Sequence, residues 1–156
     1  MWLWSEIKTW EHETITRFGV EWTIYRRDGR EIEIGYRASI GDGASIGSGA
    51  SIGDRASIGD GASIGDGASI GYGASIGDGD LYLCLGPLGS RRAMLTAVCR
   101  EGAIKYYTGC FGGTGAEFRA AVEATHGDGE HGRAYRAAME FSERMFAAKA
   151  CCVSGH

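Results

Sequence analysis

The residues able to do chemistry in this sequence stand out as departures from a near-perfect repeat. Isoleucine recurs every six residues, at 34, 40, 46, 52, 58, 64, 70 and 76, within the phrase I-G-D-G-A-S. Half of the units carry Asp-Gly at the third and fourth positions, and the departures are Tyr36-Arg37, Ser48-Gly49, Asp54-Arg55 and Tyr72-Gly73. Three of them are 18 residues apart. If three hexads close one turn, then Tyr36, Arg37, Asp54, Arg55 and Tyr72 stack along one edge. Tyrosine can stack on a flat ring, and arginine can grip phosphate or carboxylate with two parallel hydrogen bonds. The same residue types are also enriched at subunit contacts, with Asp54 neutralising an arginine.

A period of six matches neither the 3.6 of a helix nor the 2.0 of a strand. It suits a solenoid in which each hexad forms one side of a coil and neighbouring coils share a core. Ile34, Ile52 and Ile70 then form one column, Ile40, Ile58 and Ile76 a second, and Ile46 and Ile64 a third. Asp42, Asp60 and Asp78 stack on a second corner, with Asp66 on the third. Calcium requires six to eight oxygens, and the column supplies three side chains. Asp before Gly is also ordinary turn chemistry, so no metal site and no cofactor is expected.

The motif Ile-Gly-x-x-Ala-Ser, with Ile40 and Ala44, Ile46 and Ala50, resembles the hexapeptide-repeat, left-handed parallel β-helix superfamily. The resemblance covers residues 34–80 and implies triangular coils of three hexads. Members are commonly trimers, which implies a homo-oligomer here; eight isoleucines also make a small core that added interfaces would support. The superfamily is best known for acyltransferases that use a histidine near a coil junction. No histidine lies between residues 34 and 80; His12, His126, His131 and His156 are all outside. That catalytic role therefore has no position to occupy, and the chain is expected not to be an enzyme.

Flanking elements must position these groups. Residues 1–33 are expected to form a β-hairpin cap: Val20–Tyr25 and Glu31–Ile34 alternate around Asp28-Gly29, a strong hairpin turn. Trp2, Trp4, Trp10 and Trp22 would cover the open end of the solenoid. Residues 34–80 form the coil and residues 81–150 an α+β domain of βββαα order. Its strands start from Leu81, Ala93 and Ile104. Thr114 and Glu117 make a capping box for a first helix, which Gly127 ends. A second helix from Glu130 sets Tyr135, Ala138, Met139, Ser142 and Phe146 on one stripe. Residues 151–156 are expected to be a flexible tail. The fold class expected is mainly β.

The C-terminal part offers further ligand groups. Arg91, Arg92, Lys105, Tyr106 and Tyr107, with Arg133 and Arg136, supply the cations and rings that an anionic ligand requires. Phe111-Gly-Gly-Thr-Gly115 enters a helix but lacks the Lys-Ser/Thr of a phosphate loop. His126, Asp128 and His131 could ligate a metal or simply satisfy a turn, and Cys110 has no sequence-local base. The patterns T-G-C-F-x-G-T-x-x-E-F and H-G-D-x-x-H-G-x-x-Y-R-A-A resemble a segment of small phage and prophage proteins that carry hexapeptide repeats. Among such proteins are binders that sequester nucleotide immune signals, which implies that class of function and no particular residue.

Charge narrows the partners. Residues 1–80 hold 7 Lys/Arg against 13 Asp/Glu, residues 81–156 hold 9 against 7. The acidic half argues against a polymeric nucleic-acid partner, which needs a broad basic face. Five cysteines without framework spacing point to a reducing compartment. M-W-L-W-S-E-I-K lacks the apolar run of a secretory leader, and no stretch reaches the ~18 apolar residues of a membrane span. The reading is a cytoplasmic homo-oligomer, most simply a trimer, that binds a small anionic ligand such as a nucleotide without catalysis. Its expected ligand residues are Tyr36, Arg37, Arg55, Tyr72, Arg91, Arg92, Lys105, Tyr106 and Tyr107. A ligand-free trimerisation scaffold is the first alternative, and an acyltransferase the second.

Overall fold

The computed structural model describes residues 1–89, 92–109 and 111–149. Arg91, Cys110 and the expected 151–156 tail lie outside the described residues. The chain divides into two units, Met1–Gly79 and the remainder from Asp80.

The first unit opens with β1 (Trp2–Leu3), a one-turn helix α1 (Trp4–Ile7), and the antiparallel strands β2 (Glu11–Arg17), β3 (Val20–Arg27) and β4 (Arg30–Gly35). Seven two-residue Ser-Ile strands follow, β5 (Ser39–Ile40), β6 (Ser45–Ile46), β7 (Ser51–Ile52), β8 (Ser57–Ile58), β9 (Ser63–Ile64), β10 (Ser69–Ile70) and β11 (Ser75–Ile76). Strands three hexads apart pair in parallel, so Ile52 sits between Ile34 and Ile70, Ile58 between Ile40 and Ile76, and Ile46 beside Ile64. The three expected columns are all present. Within each unit the isoleucine and the alanine four places later turn inward, and Ile46, Ile52, Ile58, Ala50 and Ala56 are buried. This is a parallel β-helix.

Two glycines in each unit serve different ends. At the fourth position Gly67 has φ 71°, a left-handed turn that L side chains rarely adopt. At the second position Gly47 is needed for closeness, because a Cβ there would overlap Asp66 of the next coil. That closeness lets aspartates tie neighbouring coils together: Asp60 Oδ1 accepts the Gly43 N–H at 2.9 Å, and Asp66 Oδ1 accepts the Ser48 N–H at 2.9 Å. The aspartates thus satisfy corner amides that the short strands leave unpaired.

The hairpins continue the coil. The order β10-β7-β4-β3-β2 forms one five-stranded sheet, with β4 shared between hairpin and first coil. β1 runs antiparallel to β6, pairing Trp2 with Ile46. Trp10 is buried with Trp2 edge-on at 5.1 Å, and Arg27 and Arg30 lie over Trp10 and Trp2. Trp4 lies edge-on to Tyr25 and Trp22 lies under Arg17, both within the hairpin region, and β2 adds a strand beyond the expected hairpin.

The second unit is an antiparallel sheet of β12 (Leu81–Leu88), β13 (Ala93–Arg100), β14 (Ala103–Thr108) and β15 (Phe111–Thr114), followed by α2 (Gly115–His126) and α3 (Glu130–Ala148). The order is ββββαα, which corrects the expected three strands. The short β15 exists because Gly112 lies against the Tyr107 ring, where a Cβ would come within 3.1 Å of it, and its ladder with β14 is continuous. The capping box is in place: Thr114 Oγ1 accepts the Glu117 N–H, and Glu117 Oε1 accepts the Thr114 N–H at 2.9 Å. Tyr135, Ala138, Met139, Ser142 and Phe146 are all buried, and the core joins them to Leu95, Ala97, Cys99, Tyr106, Phe118 and Val122. No helix among the described residues is long and apolar enough to cross a membrane.

Candidate functional site

The exceptions to the repeat converge on one edge of the coil. Asp54 is the fixed point, with a side chain only 5% exposed. Its Oδ1 accepts the Arg37 backbone N–H at 2.8 Å, and its Oδ2 accepts the Arg37 guanidinium at 2.8 Å. One coil further on, the Asp54 carbonyl accepts the Gly73 N–H at 3.1 Å. Hydrogen bonds from Arg37 hold the Asp54 carboxyl below the ordinary carboxylate range, and the field of Arg55 helps. The guanidinium charge of Arg37 is in turn raised further from neutrality by the same pair. Arg37 therefore acts first as a clasp between coils.

Arg55 is different. It stands at φ 64°, in a position where Gly49, Gly61, Gly67, Gly73 and Gly79 take φ between 71° and 82°. A non-glycine residue costs about 1 kcal/mol there. Its guanidinium lies 6.0 Å from the centre of the Tyr72 ring, a contact worth about 0.5–1 kcal/mol at an exposed site. Among the described residues it forms no ion pair, so its charge is available to a ligand. Tyr36 is 66% exposed, and its backbone N–H donates to the Glu21 carbonyl at 2.9 Å, which ties the edge to β3. Two strand spacings, about 9–10 Å, separate the levels of Tyr36 and Tyr72. Arg55 sits at the level between. A flat ring on either tyrosine can thus direct an anionic group toward it.

The remaining predicted residues belong to the second unit, where the described ones, Arg92, Lys105, Tyr106 and Tyr107, do not share one face. Tyr106 is 1% exposed and stacks on Phe118 at 5.2 Å, so it is core and not a ligand platform. Tyr107, its neighbour along β14, turns to the opposite face and is also buried. Successive strand residues must diverge in this way. Lys105 is exposed on β14, and Arg92 is exposed in the β12–β13 turn at φ 51°. Asp54, expected on this edge as the neutralising partner of an arginine but not among the ligand residues, is the group that holds Arg37. Its signal was the only Asp-Arg unit in the repeat, placed 17 residues after Arg37.

The two metal candidates do not assemble. Asp42 pairs with Lys8 at 2.9 Å, and Asp60 is held by the Gly43 amide. His126 and His131 touch ring to ring at 5.5 Å, while Arg136 donates to the Gly127 carbonyl and Arg133 to that of Asp128. Among the described residues, no three His, Cys, Asp or Glu side chains gather as a metal ion requires.

Comparison with known proteins agrees with this geometry. Residues 43–78 match the family model described as bacterial transferase hexapeptide (six repeats). No curated protein and no solved structure matches the chain. The run of parallel Ser-Ile strands, paired at 18-residue intervals, is what that repeat builds. Residues 43–78 are a hexapeptide-repeat segment, coiled as a parallel β-helix.

Proposed function

We propose that this protein is a non-catalytic, oligomeric binder of a small anionic ligand that carries a flat ring, with the coil edge as its site. The observation that carries the proposal is Arg55, which holds a left-handed conformation that Gly49, Gly61, Gly67, Gly73 and Gly79 take in other units, and whose guanidinium lies beside Tyr72 without an ion pair among the described residues. A position under strain with no structural need for its side chain points to a retained role. A nucleotide has both the ring and the phosphate that this edge can engage, and sequestration of a nucleotide signal by a phage-type protein in the host cytoplasm is the biological form of the proposal. Catalysis is not part of it, because the coil places no histidine in the repeat. Assembly as a trimer would set copies of the edge against neighbouring subunits.

Arg55→Gly is the test. The substitution relieves about 1 kcal/mol of strain but loses the ring contact and loosens the unfolded chain by a similar amount. Stability should therefore stay within about 1 kcal/mol of the parent. Ligand retention, measured by native mass spectrometry after incubation with a pool of mono-, di- and cyclic dinucleotides, should fall at least tenfold, about 1.4 kcal/mol. A parent protein that keeps no nucleotide, or a variant that keeps as much as the parent, overturns the reading.

A ligand-free scaffold is the second reading, favoured by one observation. Phe18, at the β2–β3 turn, is 100% exposed at φ 51°. It lies at the end of the five-stranded sheet where Glu21 meets Tyr36. Loss of the oligomer in Tyr36→Ala, with no ligand found, would establish that role.

A further inference from the structure

Strand β2 is a long sheet edge without the usual protection. Unpaired edges recruit other strands, and proteins blunt them by shortness, proline or irregular pairing. The other sheet edges among the described residues are blunted in those ways. β1, β5, β9, β10 and β11 are two residues long, β15 has four, and β12 carries Pro87 and a break in register between Leu85 and Leu88. β2 runs for seven residues, contains no proline, and pairs with β3 without a break from Glu11 to Arg17.

The turn decides which backbone groups of β2 face outward. Phe18 at φ 51° and Gly19 at φ 78° form a two-residue left-handed turn, which closes the hairpin on a hydrogen-bonded Arg17–Val20 pair. Alternation then directs the N–H and C=O of Glu11, Glu13, Ile15 and Arg17 toward β3, and those of His12, Thr14 and Thr16 outward. The neighbouring strand agrees: Glu21, opposite Thr16, gives its carbonyl to the Tyr36 N–H on the side away from β2. Within the first unit no backbone group pairs with the outward ones of His12, Thr14 and Thr16, and all three residues are exposed.

We propose that β2 docks a second copy of this chain, antiparallel about Thr14, so that the five-stranded sheet of one copy continues into that of the other. The strand E-H-E-T-I-T-R is self-complementary in that register. Thr14 faces Thr14 and His12 faces Thr16, so outward groups meet outward groups and about six backbone hydrogen bonds form. Glu11 meets Arg17 at both ends, and opposite charges across antiparallel strands attract. Glu11 has no ion pair among the described residues, and Arg17, which holds Glu33 through its two terminal nitrogens, keeps its Nε for a second carboxylate. Shifted registers are worse. A slip of two residues one way sets Glu13 against Glu13, and the other way leaves Glu11 beyond the strand. The joint is a two-fold contact of one patch with itself. It is independent of the coil edge, so either can fail without the other.

Sedimentation equilibrium of the full chain tests the assignment, together with amide hydrogen exchange. The parent should contain an even number of chains. Thr14→Pro removes an outward N–H and spares the ladder with β3, so it should halve the assembly mass. Glu11→Arg sets like charges opposite each other at both ends and should weaken self-association at least tenfold, while circular dichroism matching the parent shows a folded chain. If Thr14→Pro unfolds, Glu11→Arg decides alone. The His12, Thr14 and Thr16 amides should exchange at least tenfold more slowly in the parent than in Glu11→Arg. An odd number of chains in the parent, an assembly mass that neither variant changes, or equal exchange of those three amides in parent and Glu11→Arg overturns the proposal.

Discussion

Gly47→Ala is expected to destabilise the coil by about 3 kcal/mol, at the upper end of what overpacking costs. Gly67→Ala, twenty residues on in the same repeat, should cost only about 1 kcal/mol. Two different physical demands are behind the two values. At Gly47 an added Cβ meets the backbone nitrogen and carboxylate of Asp66 and the carbonyl carbon of Gly65. Backbone cannot swing aside, so the coils must separate and the Gly47 N–H···O Ile64 bond of 2.8 Å and the Asp66–Ser48 bond lengthen together. A Cβ added at Gly67 would meet no atom within 4 Å, and only the φ of 71° resists a side chain. Urea unfolding of both variants measures the difference. Equal losses would mean that close approach of coils is not what the second-position glycine provides.

Asp54→Ala is the second large expectation, with a loss of about 2 kcal/mol, because it leaves the Arg37 backbone N–H without its acceptor. The Arg37 amide loses its acceptor outright, and its guanidinium, half exposed, turns to water. Asp54→Asn retains an acceptor for the amide and removes only the charge, so it should cost less. The pair also sets a pH signature. Asp54 has a folded pKa lowered by Arg37, so its stabilisation is present above the unfolded carboxylate value near 4. It disappears as pH falls through the lower folded value. The stability gap between parent and Asp54→Asn should thus be constant from about pH 5 to 7 and shrink as pH falls below about 4. A gap that does not change with acid would show that charge adds nothing to the clasp.

The sequence made the coil legible because one apolar residue per hexad leaves a single period consistent with burial. Register followed from it: every isoleucine column assigned from spacing recurs as a run of adjacent parallel strands. The helices of the second unit were legible for a related reason, since the Thr114–Glu117 box and the stripe from Tyr135 to Phe146 agree on start and face. What escaped were elements defined by partners. β15 is built from Phe-Gly-Gly-Thr, a composition with little strand preference, and it is extended only because β14 pairs with it. β2 lies at the edge of the sheet with most of its side chains exposed, so its pattern carries little burial signal. Part of the candidate site escaped too. Tyr106 and Tyr107 both qualify as candidate rings by residue type, but adjacent residues of a strand face opposite sides of it. Arg37 and Arg55 looked alike in the sequence, and only the Asp54 clasp separates the one that holds the fold from the one left open.

The eighteen-residue interval between Arg37, Arg55 and Gly73 has a consequence for how such a gene can change length. Gain or loss of three hexads at once leaves every side chain on the face it already occupied, and so preserves contacts such as that of Arg55 with Tyr72. A single hexad inserted between residues 55 and 72 would keep each isoleucine inside yet rotate Tyr72 by a third of a turn, leaving Arg55 alone. Stability tolerates multiples of six, whereas the ligand edge tolerates only multiples of eighteen.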